Sequence, residues 1–181
     1  MAQRGFEFVS TYADQGLNLP MRQTSGSAGY DIAAAEDVTI PSIWQRGVMA
    51  TLLMSEAGKS NKDWQTALEK APAIKPVLVA TGIKAYMPQD EYLQLTCRSS
   101  NPLKRSLILP NGVGIIDSDY YGNNDNEGHI YVQLLNFGLE DVHIKKGDRI
   151  AQGIFLSYQK TDQDIDNGVK RQGGFGSSGQ N

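Results

Sequence analysis

The chain is interrupted too often to be helical. Short runs rich in Val, Ile, Leu, Tyr and Thr alternate with Gly, Pro, Asn or Asp along most of its length. "GFEFVS" (5–10), "DVTIP" (37–41), "GVMATLLM" (47–54), "KPVLVATGIKAYMP" (75–88) and "EYLQLTCRS" (91–99) begin the series. "SLILP" (106–110), "HIYVQLLNFG" (129–138), "DVHIKKGD" (141–148) and "RIAQGIFLSY" (149–158) complete it. Such residues suit a pleated, half-buried surface, and breakers this close together leave little room for long helices. Many short strands at this spacing predict an all-β sandwich, barrel or jelly roll. With 181 residues, one domain with a substantial core is expected.

Two segments depart from the pattern. "SNKDWQTALEKAP" (60–72) reads as a short helix within an insertion of about 54–74. Ser60 and Asp63 stand as in a capping box, Trp64 and Leu68 share a face, and Pro72 ends the helix. It is either a surface helix packing Trp64 on the body, or a lid or partner-binding element. From 159 to 181 the chain turns polar, with five glycines and one aromatic, Phe175. Such composition builds no core of its own. It is either a disordered tail or a flap that cradles phosphate. In a flap, glycines let backbone N–H groups come close, hydroxyls donate, and a ring stacks on a base. The expected division is therefore a β domain over 1–158 and a flexible tail over 159–181.

A net charge of −3 argues against a bulk nucleic-acid binder and leaves room for a local basic pocket that takes a small anion. No direct nucleic-acid binding is expected. Cys97 is the single cysteine, so an intrachain disulfide and a CxxC metal site are both excluded, and a reducing compartment fits. Its alternating context, "YLQLTCRSS", favours a buried or strand-face thiol over a nucleophile. "MAQRGFEFVS" has no apolar h-region, and no apolar run approaches the ~18 residues that span a bilayer. A soluble, cytoplasmic protein is expected. His129 and His143 stand too far from other ligands to suggest zinc.

Five segments carry more polar chemistry than strands or turns need. They are "SAGYDIAAA" (27–35) with Asp31, "CRSSNPLKRS" (97–106), "NGVGIIDSDYYGN" (111–123), "KGDRIAQGIF" (146–155) and "KRQGGFGSSG" (170–179). Each alone has a plain alternative. Asp31 could end a strand, and "RSS" could be an exposed turn. Asp148 and Arg149 are either a structural pair or directly catalytic. The third segment is harder to dismiss, because a hairpin needs Asn-Gly and little else. Hydrolysis of a nucleoside triphosphate needs a water aimed at phosphorus, cations for the charge, and groups that read the base. Asp117, on a glycine-flanked hairpin, is the best candidate to orient and deprotonate that water.

In this order the five segments resemble the five motifs of the trimeric dUTPases, over most of residues 24–179. The third and fifth are the most specific. The resemblance implies a jelly-roll-like subunit in a homotrimer. It also implies Mg²⁺-dependent hydrolysis of dUTP at the α-phosphorus to dUMP and pyrophosphate, which limits uracil incorporation into DNA and supplies dUMP. It places the catalytic aspartate at Asp117, Tyr120 under the deoxyribose, and Asn111 at the mouth of the uracil pocket. Backbone groups around Gly114, Ile115, Ile116 and Tyr131 would pair with the uracil edge. Arg98, Ser99 and Ser100 match the phosphate-binding motif, with Ser99 donating to the α–β bridging oxygen. Gln152 would lie near the phosphates. Asp31 would position Mg²⁺ through water, the metal resting mainly on substrate phosphates.

In the tail, Phe175, Gly176, Ser177 and Ser178 match the fifth motif. The family's arginine five residues before the phenylalanine falls on Lys170 here, while Arg171 lies four before. Arg171 is favoured for the γ-phosphate, because a guanidinium binds phosphate bidentately. The resemblance further implies active sites shared between subunits, the third motif and the tail of one site coming from different chains. The sequence departs from compact members in its longer 42–75 region and in "NNDNEG" (123–128), which lengthens the third-motif hairpin. Two other functions stay open at this point. One is a dCTP deaminase-like enzyme of the same fold. The other is a nucleotide-gated regulatory binding protein that meets a protein partner at the insertion.

Overall fold

A computed structural model of the chain describes residues 3–44, 75–165, 168 and 174. The run at 47–54, the expected helix at 60–72 and the fifth-motif residues Arg171, Phe175, Gly176, Ser177 and Ser178 lie outside them. Among the described residues the strands are β1 (Gly5–Phe8), β2 (Tyr30–Ala33), β3 (Val38–Ile40), β4 (Val77–Ala80), β5 (Ile83–Tyr86) and β6 (Glu91–Cys97). They continue as β7 (Leu107–Ile108), β8 (Gly114–Asp117), β9 (Tyr131–Asn136), β10 (Val142–Ile144) and β11 (Arg149–Ser157). One short helix, α1 (Ser100–Arg105), stands between β6 and β7. The fold is all-β and jelly-roll-like, as the punctuation of the sequence requires.

The largest sheet runs β2-β11-β6-β8, and a three-stranded sheet runs β4-β9-β7. Two-stranded pairs, β1-β5 and β10-β3, accompany them. All these pairings are antiparallel. The two larger sheets bury one face each, and the sequence shows why. In β6, Leu93 and Leu95 alternate with polar or half-exposed neighbours, and in β9 Val132 and Leu134 do the same. A period of two sends alternate side chains to one face. These four join Ile32, Ile40, Leu107, Ile144 and Ile150 in one buried cluster. Full burial of each large aliphatic side chain contributes about 1.5–3 kcal/mol.

Polar groups fasten the layers where the ladder stops. Asn136 is fully buried at the end of β9. Its amide donates to the Ile40 and Glu140 carbonyls at 3.0 and 2.7 Å, and its Oδ1 accepts from the Gly138 N–H at 2.9 Å. Asn101 of α1 donates to the Ile150 carbonyl at 2.7 Å, which ties the helix to β11. Cys97 packs in the same region, and burial pushes its thiol pKa up. That matches a packed thiol, not an activated one. No described helix is long and apolar enough to cross a membrane.

Candidate active site

The third segment, expected to form a hairpin, instead turns at Leu109–Gly112 into an edge strand of the large sheet whose ladder partner is β6 and not a chain neighbour; we call this turn and strand the hairpin segment. β8 pairs with β6, placing Gly114 opposite Leu95 and Asp117 opposite Tyr92. A Cβ on Gly114 would stand 3.2 Å from that of Leu95, so the small residue lets the hairpin close on β6. As an edge strand, β8 turns half of its backbone N–H and C=O groups away from the sheet, where a ligand can pair with them. After Asp117 the chain enters a 3₁₀ turn, Ser118–Tyr120, that swings Tyr120 inward until it is buried. The Tyr120 hydroxyl donates to the His129 carbonyl at 2.9 Å.

A cavity of about 210 Å³ opens beside this hairpin. Asn111, Gly114, Ile115, Ile116, Tyr120 and Tyr131 all line it, so these base- and sugar-side candidates share one cavity, while Phe175, also expected on the base, lies outside the described residues. Leu95, Leu109, Val132 and Gln133 complete the wall. The sequence places these four on strands but carries no signal of which strands face the hairpin. Gly174 of the tail also lines the cavity, and a Cβ there would stand 3.0 Å from the Tyr120 hydroxyl. The tail and the hairpin therefore meet within one chain at this residue, a contact not expected from the sequence. Asp117 itself is half-buried at the end of β8.

The phosphate-type residues gather around Asp31. β11 sets Gln152 opposite both Asp31 of β2 and Thr96 of β6. Arg98 follows β6 directly and donates from Nε to Asp31 Oδ1 at 2.9 Å. Arg149 donates to Oδ2 at 3.1 Å, and the Gln152 amide reaches Oδ1 at 3.3 Å. Asp31 is buried, with its side chain 3% exposed, while those of Arg98 and Arg149 are 21% and 47% exposed. A buried carboxylate thus orients two cations toward the surface. Arg98 uses only Nε on Asp31, so its two Nη atoms stay available to a second acceptor. Ser99 and Ser100 follow at the start of α1, Ser99 exposed.

One pairing left open in the sequence is settled here. Asp148 and Arg149 do not form a pair. Arg105 reaches Asp148 at 3.3 Å, and Arg149 turns instead to Asp31. Sequence reasoning weighed Arg149 only beside Asp148 and had no sign of its bond to Asp31, because that partner lies on the neighbouring strand, 118 positions away. Among the described residues no group of three or more His, Cys, Asp or Glu side chains is placed to hold a metal ion. His129 serves the interior, its Nε2 accepting from the Gly82 N–H at 2.9 Å.

The two clusters lie far apart in one chain. β2 and β8 are opposite edges of their sheet. Along β6, Asp117 sits level with Tyr92 while Arg98 lies beyond the far end. Six residues of strand at ~3.3 Å each separate them by roughly 20 Å. The cavity beside β8 contains none of Asp31, Arg98, Arg149 and Gln152. A second cavity, of about 470 Å³, includes Asp31 and Arg149 but none of the hairpin residues.

Comparison with known proteins follows the same residues. A family model described as dUTPase matches residues 66–179. A deoxyuridine 5'-triphosphate nucleotidohydrolase from Lactococcus lactis subsp. lactis is 44% identical over 181 residues, covering 99% of both chains. The crystal structure of dUTPase from Streptococcus mutans is similar with a TM-score of 0.67 and 39% identity, over 87% of this chain and 98% of that one. A mutant dUTPase from phage phi11 of S. aureus, which coordinates a structural Mg(II) ion, shares the fold. Its TM-score is 0.60 at 15% identity, over 92% of this chain and 97% of that one.

Proposed function

The chain belongs to the dUTPase family and is a dUTP diphosphatase, and from that premise we propose how its residues split dUTP into dUMP and pyrophosphate. The observation that carries the reading is the cavity lined together by Asn111, Gly114, Ile115, Ile116, Tyr120 and Tyr131. Uracil enters past Asn111 and pairs with backbone groups of β8 and Tyr131. A wall this close rejects the methyl of thymine, and its donors and acceptors mismatch the amino group of cytosine. Tyr120 lies under the deoxyribose, where a 2'-hydroxyl would collide with the ring.

Asp117 takes a proton from a water as the water attacks the α-phosphorus. The bond from that phosphorus to the α–β bridging oxygen breaks, and pyrophosphate leaves. Ser99 donates to the bridging oxygen, Arg98 and Gln152 hold the phosphates, and Ser100 completes that motif. From the tail, Arg171 meets the γ-phosphate and Phe175 covers the base, while Gly176, Ser177 and Ser178 wrap the phosphates. The β domain of 1–158 thus carries the chemistry and the 159–181 tail closes it.

Mg²⁺ fits as a companion of the substrate. A carboxylate offers about four acceptor directions, and three of those on Asp31 are taken by Arg98, Arg149 and Gln152. The remaining direction suits a metal-bound water, not direct ligation. Bound to the phosphates, Mg²⁺ would neutralise charge on the leaving pyrophosphate.

We place each active site between chains of a homotrimer, because the roughly 20 Å between Asp117 and Arg98 keeps one phosphorus from meeting both in one chain. The hairpin of one subunit would receive the phosphate cluster of its neighbour. The lone thiol of Cys97 fits a cytoplasmic, reducing setting, and the 54–74 insertion is the candidate surface for a protein partner. Pyrophosphate release from dUTP, dCTP, dTTP and UTP tests the specificity. Turnover of dUTP alone is expected to be fast, and comparable turnover of dCTP or dTTP would contradict the pocket reading.

A further inference from the structure

The extra residues "NNDNEG" (123–128) fold into a brace that grips Tyr120 at both ends. Asn123 is buried, and its amide donates to the Tyr120 carbonyl at 2.8 Å. Its Oδ1 accepts from the N–H groups of Asp125 and Asn126 at 3.0 and 3.1 Å. That turn delivers the Asn126 amide, which donates to the Tyr120 hydroxyl at 2.9 Å. Asn126 Oδ1 is held in turn by the Gly128 N–H at 3.1 Å and the Asn123 amide at 3.0 Å. Gly128 has a φ of +89°, and a Cβ there would fall 2.7 Å from the Tyr120 carbonyl oxygen. The loop is anchored outward through Glu127, which accepts from Ser10 and from Lys84 Nζ at 3.1 Å.

A phenol has one proton to give. Tyr120 gives it to the His129 carbonyl and accepts from Asn126, so its hydroxyl is fixed from two directions. Steric exclusion of a 2'-hydroxyl works only if the ring cannot retreat, because a ring that yields admits the larger sugar. We propose that Asn126 is a positioning residue for sugar discrimination, holding Tyr120 so that deoxyribonucleotides are accepted and ribonucleotides refused. Asn126 contacts no substrate and acts through the phenol. The proposal rests on the reading that Tyr120 lies under the sugar.

The test compares kcat/KM for dUTP and UTP in Asn126→Asp, Tyr120→Phe, Tyr120→Ala and the double variant Asn126→Asp with Tyr120→Phe. Asn126→Asp keeps Oδ1, and with it the bonds to Gly128 and Asn123. It replaces the donor by an oxygen, so the phenol faces two acceptors with one proton. The dUTP over UTP preference should fall about three- to tenfold, the worth of one hydrogen bond, through faster use of UTP, with dUTP kcat and Tm near wild type. Tyr120→Phe should lower the preference similarly, and adding Asn126→Asp to it should change nothing more. An unchanged preference in Asn126→Asp or Tyr120→Phe, while Tyr120→Ala loses it, overturns the role of Asn126. So does a further fall in the double variant. An unchanged preference in Tyr120→Ala overturns the sugar reading itself.

Discussion

Asp117 and Asp31 are both carboxylates at strand positions of one sheet, and their surroundings differ. Asp31 is buried and held by Arg98, Arg149 and Gln152. A carboxylate whose acceptor directions are so occupied has little room to take a proton from water. Asp117 stands half-buried at the end of β8, just before Tyr120 turns into the cavity. Replacing it by asparagine keeps the shape and removes the ability to take a proton. Asp117→Asn is expected to lower kcat by about 10²–10⁴ while leaving KM for dUTP within a small factor. Pyrophosphate release under saturating dUTP measures it, and a near-normal kcat would remove Asp117 from the role of base.

Beside the hairpin segment lies a buried histidine whose protonation in acid works against the fold. His129 sits between the rings of Tyr12 and Tyr131, with centroids 5.2 and 4.2 Å away. Its Nε2 must keep a lone pair to accept from Gly82. Burial lowers its pKa below the ordinary 6.5, and the charge of Glu127 opposes this more weakly. The folded state therefore favours the neutral ring. Above 6.5 neither state binds the proton and the contribution is intact. As pH falls below that value the unfolded chain gains a proton that the folded one resists, so stability declines until the folded pKa is reached. The carboxylates of Glu91 and Glu127, lowered from 4.5 by Arg4 and by Ser10 and Lys84, act only at lower pH. Thermal melts between about pH 7.5 and 5 should show Tm falling with acid in the wild type. His129→Gln can still accept from Gly82 without titrating, and its Tm should be flat over that range. An equal slope in both proteins would assign the early acid loss elsewhere.

At the scale of the whole molecule, the question is which copies complete a site. For the proposed homotrimer, two variants each expected to be inactive, Asp117→Asn and Arg98→Ala, are refolded together in equal amounts. If hairpin and phosphate cluster come from neighbouring chains, a site with both intact arises with probability one half times one half, so about one quarter of sites recover. If each chain builds its own site, none recover. Pairing Asp117→Asn with a truncation after Lys160 addresses the tail separately. Gly174 touches Tyr120 of its own chain, so this second mixture is expected to stay inactive. Recovery there would place the tail across subunits, as the family resemblance implies.

Much of this protein is local and therefore legible in order along the chain. The alternation in "EYLQLTC" and "YVQLLN" marks β6 and β9, since a period of two needs only neighbouring residues. The stretch from Asn111 to Tyr120 likewise declares its glycines, cavity-lining residues and carboxylate, because they lie within a few positions of one another, although the strand partner it takes, β6, is not legible. What the sequence could not decide is pairing over distance. Arg149 pairs with Asp31 and not with the adjacent Asp148 because β11 and β2 lie side by side, bringing the two within reach, and Arg105 takes Asp148. "NNDNEG" reads as a polar loop until folding sets Asn126 against the Tyr120 hydroxyl. The distance along β6 between Asp117 and Arg98 exists only once the strands are laid side by side. Periodicity and turn chemistry act between chain neighbours and are written in their order. Ion pairs, cavities and separations depend on which strands meet, and that is chosen by burying the two sheets' apolar faces together.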